Sequence, residues 1–135
     1  MSDHITVDWS GIDCADLKAK IWQYVNEKWD SGLPSATVDE LVEQFPEIEG
    51  PYCWKGAPGL VFWNSMSLEG QKAFREAVDE DLIELTSECG DPILAMASYT
   101  RMPELPFAKS PREHKKPHWY PLFFKSGNNY VEDIL

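Results

Sequence analysis

Apolar residues recur at spacing four from Leu17 through Ile21 and Val25 to Trp29, with Tyr24 filling an intermediate position. This period predicts an amphipathic helix opened by Asp13 or Asp16 and ending near Asp30-Ser31-Gly32. After a short loop at Pro34-Ser35-Ala36, Thr37 and Glu40 have the spacing of a capping box, and Val38, Leu41, Val42 and Phe45 form the stripe of a second helix that Pro46 stops. From Pro46 to Pro58, three prolines, two glycines and the rings of Tyr52 and Trp54 predict a shaped loop packed on the core. The apolar run Gly59 to Trp63, bounded by turn residues, predicts a brief strand.

Ser67 is placed to cap a third helix with Phe74, Ala77 and Val78 facing inward and Leu68 at its entry. Glu69, Lys72, Arg75, Glu76, Asp79 and Glu80 are expected to face water. From Leu82 the pattern becomes that of extended chain. Cys89-Gly90-Asp91-Pro92 reads as a turn, and Ile93 to Tyr99 as the returning strand of a hairpin. Prolines at 103, 106, 111, 117 and 121 exclude a helix from Arg101 to Pro121. His118 to Lys125 has the residues of a strand, which Pro121 confines to a sheet edge or a bulge. The expected organisation is an N-terminal extension over residues 1–12, a domain over 13–99, and a basic Pro-rich arm with an acidic tail over 100–135.

Two helices, a short strand, a third helix and a hairpin is the element order of the winged helix-turn-helix superfamily. The run from Ser67 to Leu85 resembles that superfamily's passage from its third helix, through a leucine-isoleucine pair, into the first wing strand. The resemblance implies an α+β domain with a winged-helix-like three-helix core, a small β-hairpin and, beyond it, an extended C-terminal arm. It also implies a third helix that enters the DNA major groove. This helix departs from that pattern, because Lys72 and Arg75 are outnumbered by Glu69, Glu76, Asp79, Glu80 and Asp81, which would face phosphates.

Charge shifts the expected partner further from nucleic acid. The chain has a net charge of −11, with 19 acidic and 6 basic residues in its first 98, whereas Tyr99 to Lys125 holds 6 basic and 2 acidic. Polyanion binding is driven by clustered cations, so an acidic body favours a protein partner with a basic surface. The favoured function is a non-enzymatic acidic binding module, as a bacterial or phage regulator or an inhibitor that imitates DNA. Its candidate contacts are Glu69, Glu76, Asp79 and Glu80, together with Trp54 and Trp119, whose Pro-rich surroundings predict exposure. Asp39, Glu40, Glu43, Glu47 and Glu49 read as a solvated acidic face.

The alternative is a DNA-binding winged-helix regulator, acting as a homodimer. Arg101, Lys109, Arg112, Lys115 and Lys116 would contact nucleic acid, interleaved with rings able to stack on bases: Phe107, His114, His118, Trp119 and Tyr120. Against both stands a third expectation, that the arm folds back and satisfies its charges on its own acidic domain.

With 135 residues and 43% hydrophobic content, one core is expected. The polar N-terminus and the lack of any long apolar run predict a cytoplasmic protein with no membrane span. Cys14, Cys53 and Cys89 have neither C-x-x-C spacing nor an adjacent base, and Pro117 breaks any helix that could align His114 with His118. No metal, cofactor or catalytic pair is therefore assigned, and no enzymatic activity is expected.

Overall fold

The computed structural model describes residues 9–128, and the acidic tail and His4 lie outside that range. The described residues form a mixed α+β fold of four α-helices and two three-stranded sheets. Helix α1 spans Ala15–Asp30, with Asp13 accepting from the Ala15 N–H at its entry. Its buried face is Leu17, Ile21, Val25 and Asn26. Trp29 leaves that face and is 43% exposed. A spacing of four overshoots a helical turn by about 40° per step, so the stripe begun at Leu17 has rotated away by its third repeat.

Strand β1 (Ala36–Thr37) leads straight into α2 (Val38–Gln44), and the reciprocal Thr37–Glu40 capping box is present. Glu40 also accepts from the Tyr24 hydroxyl and from Lys28 at 2.7 Å, which ties α2 to α1. The stretch after Pro46 is more ordered than a loop. A 3-10 turn covers Pro46–Ile48, and β2 (Tyr52–Lys55) pairs antiparallel with β3 (Leu60–Met66). Trp54 explains this ordering: it stacks on Phe74 at 5.0 Å and meets Phe62 edge-on at 5.2 Å.

Helix α3 (Leu68–Asp79) is capped by the Ser67 hydroxyl, which accepts from the Gly70 N–H at 2.9 Å. It ends in a Schellman closure, with Leu82 N–H on the Ala77 carbonyl, Asp81 N–H on Val78, and Asp81 at φ 59°. This closure delivers the chain directly into β4 (Ile83–Leu85).

The expected returning strand from Ile93 to Tyr99 is instead a helix, α4 (Pro92–Ser98). Asp91 accepts from the Ile93 and Leu94 N–H groups, and Pro92 occupies the first turn, where its missing N–H costs nothing. The hairpin of this fold is β2–β3, before α3. The partner of β4 is β6 (Phe123–Ser126), which lies between β1 and β4.

Residues 100–117 are irregular, yet they do not form an extended arm. They close onto the β2–β3 hairpin through backbone bonds from Ala108 N–H to Trp119, Trp119 N–H to Pro106, and His114 N–H to Pro58. Strand β5 (His118–Trp119) runs parallel to β3 at the sheet's edge. Pro121 divides β5 from β6, so the apolar run from His118 serves two sheets rather than one edge. The core joins α1, α3 and both sheets, with Phe74 stacked on Phe124 at 5.2 Å on the side opposite Trp54.

Candidate functional site

Trp119, one of the two tryptophans expected at the surface, is 1% exposed. Its indole N–H donates to the Phe62 carbonyl at 3.1 Å, and its ring meets Tyr99 edge-on at 4.9 Å. Trp54 is half-buried between Phe62 and Phe74. The Pro-rich context signalled exposure, but these prolines flank strands β2 and β5, whose pairing with β3 carries both rings against the core.

Of the acidic candidates Glu69, Glu76, Asp79 and Glu80, two are held by a lysine. Lys18 of α1 donates to Glu76 at 3.0 Å and to both Glu80 oxygens at 3.0 and 3.1 Å, and Lys72 reaches the carbonyl of Ile12. Only part of this face meets water as expected: Arg75, Asp79 and Glu80 are exposed, whereas Glu69, Lys72 and Glu76 are half-buried. Arg75 lies over the Trp9 ring at 4.6 Å.

The hydrogen bond from Lys18 and then its charge hold the Glu76 carboxyl below its ordinary value. Glu47 is lowered in the same direction by its own backbone N–H and by Lys20. A carboxyl depressed in the fold stabilises it above the unfolded value and loses that contribution as pH falls through the folded value. Urea-melt stability is therefore expected to decline as pH drops below about 4.5, the ordinary value of these groups, and to decline less steeply in Lys18→Met.

Asp39, expected on a solvated face, is buried. One carboxylate oxygen accepts from Thr37 Oγ1, and the other from Thr100 N–H at 2.8 Å, Thr100 Oγ1 at 2.9 Å and Arg101 N–H at 3.3 Å. It thus pins the start of the Pro-rich segment to α2.

The basic candidates divide into two groups. Arg101 lies over the Trp63 ring at 5.5 Å and 3.8 Å from Glu49. Lys109, Arg112, Lys115 and Lys116 are exposed and make no ion pair among the described residues. The segment folds back through its backbone, and these four charges remain unpaired. Within the lobe the His114 and His118 rings stack at 4.6 Å, a pairing that sequence spacing across Pro117 did not reveal.

Sequence reasoning missed the surface of α4. This helix carries no charged residue, and it presents Ile93 at 78% and Met96 at 65% exposure. The Ser35 hydroxyl bonds to Glu88 and brings the exposed Leu33 loop beside the turn that enters α4. Two carboxylates flank the entry. Glu88 is held by hydroxyls of Ser35 and Thr86, and Asp91 by backbone N–H groups, and among the described residues neither is bonded to a cation. No protein-family model, curated protein or solved structure matches the chain. Among the described residues, no helix is long and apolar enough to cross a membrane.

Proposed function

We propose that this protein is a non-enzymatic binding module that engages a basic, partly apolar protein surface through α4. The observation that carries the reading is an uncharged helix with Ile93 and Met96 in water, beside carboxylates that no cation among the described residues neutralises. Apolar anchors supply affinity when desolvated, and the acidic rim selects a partner of opposite charge. A second copy would present the same negative rim, which disfavours self-pairing at this surface. Lys18 of α1, shared between Glu76 and Glu80, argues against these two as free imitators of DNA phosphates, and moves the docking surface from α3 to α4.

The test is capture of cell proteins on immobilised wild type and on an Ile93→Glu/Met96→Glu double variant. The basic proteins retained at low salt are expected to be released as salt rises and to be absent from the variant, while melting temperature is unchanged. An identical retained set on the variant, or none on wild type, sinks the reading.

A second reading is favoured by the four unpaired cations of the 109–116 lobe, which would give the regulator alternative a local nucleic-acid contact. The winged-helix likeness offers it less, since α4 occupies the place of the returning wing strand. Under this reading, Lys115→Ala/Lys116→Ala weakens binding to labelled DNA in low-salt anisotropy, and unchanged binding counts against it.

A further inference from the structure

A cleft of about 880 Å³ lies between the hairpin sheet and the segment Thr100–Leu105. Its floor carries Val61 and Trp63, two residues apart on β3 and so on one face of the sheet, with Lys55 of β2 beside them. Its wall supplies Arg101, Met102 and Leu105. The volume is that of a small-molecule site, which typically combines an apolar lining with a few placed polar groups.

Three features give this cleft a preference in charge. In a chain of net charge −11, its lining holds two cations, Lys55 and Arg101, against one carboxylate, Glu104. Arg101 is positioned by its backbone bond to buried Asp39, and its nearest carboxylate, Glu49, is 3.8 Å away, beyond hydrogen-bond distance. The guanidinium keeps donors for another acceptor. The Trp63 indole N–H is buried and has no acceptor among the described residues, a state native proteins rarely leave unanswered. The guanidinium carbon lies over the Trp63 ring, 5.5 Å from its centre, so an oxyanion on Arg101 would sit beside this indole's face.

We propose that this cleft binds an organic carboxylate: an apolar body against Val61, Met102 and Leu105, and a carboxylate held by Arg101 beside the Trp63 ring, whose indole N–H reports its arrival. This site is separate from α4 and does not depend on the protein-docking reading. The carboxylate belongs either to a free small molecule or to the C-terminus of a peptide, and both present the same group to Arg101.

The experiment follows the Trp63 indole N–H resonance of the full chain, assigned with Trp63→Phe, during titration. One arm uses 2-naphthoate with 2-naphthamide as its neutral control; the other uses acetyl-Gly-Gly-Phe with its C-terminus free or amidated. The expected result is a saturable shift with at least one free carboxylate, about tenfold or more weaker for its amide and for Arg101→Met. The arm that saturates at lower concentration names the source. Ile93→Glu/Met96→Glu should bind the probe as wild type does, so loss of the α4 reading leaves this one standing. No saturable shift in either arm, equal binding of acid and amide, or undiminished binding by Arg101→Met overturns it. Because Arg101 is half in solvent, that variant is expected to fold, and its melting temperature is measured alongside.

Discussion

Trp119→Ala is expected to destabilise the fold by roughly 3–5 kcal/mol and to lower its melting temperature by about 10–20 °C, the range for removing a fully buried large aromatic. The ring contacts Tyr99, Phe107 and the Phe62 carbonyl, and its backbone holds the Pro-rich segment on both sides through Pro106 and Ala108. Alanine at this position leaves a cavity that Tyr99 cannot fill, because its hydroxyl is fixed between the Val38 N–H and the Leu122 carbonyl. The comparison is Trp29→Ala, where a partly exposed ring beneath Lys125 should cost under about 1 kcal/mol. Thermal melts of the two variants decide the point. Similar losses would mean that residues 100–119 do not pack on the hairpin as described.

Asp39→Ala is expected to cost about 2 kcal/mol, since it strands the buried Thr37 hydroxyl and removes the acceptor shared by part-buried donors at Thr100 and Arg101. Four donors converge on it, none of them a cation: the Thr37 and Thr100 hydroxyls and the Thr100 and Arg101 N–H groups. The effect should also be directional. Hydrogen exchange at the Thr100 and Arg101 amides should quicken more than at Leu41 or Phe74, which other elements hold. Asp39→Asn, which keeps one acceptor oxygen, should fall between wild type and alanine. A melting temperature within a degree or two of wild type for the alanine variant would show that the segment is held by other contacts.

Where a short-range rule had a unique physical solution, the sequence was legible. Thr37 with Glu40 and Ser67 at its helix entry each depend on residues within one turn, and each cap is formed. The returning strand failed for a local reason that could have been read: Asp91-Pro92 followed by Ile-Leu-Ala-Met-Ala is a cap, a first-turn proline and mostly good helix formers. The assignment of Trp119 to the surface failed for a non-local one. A Pro-rich composition says that a segment lacks a helix, but whether its rings are buried depends on β3, more than fifty residues earlier. The same distance hid the site. Arg101 and Trp63 meet only because Asp39 and β3 are brought together, and the exposed face of α4 was concealed by reading its apolar residues as strand interior.

Strand β6 carries a consequence for the order of assembly. It is the middle strand of its sheet, between β1 and β4, and it supplies Phe124 to the Phe74 stack. During synthesis the ribosome makes both outer strands before the one that joins them. Until Phe123–Ser126 emerges, β1 and β4 have no sheet partner among the described residues and Phe74 lacks one of its ring neighbours, so the nascent chain carries open edges and apolar surface from Ala36 onward. Its exposure to aggregation or chaperone capture is therefore greatest just before translation reaches that strand.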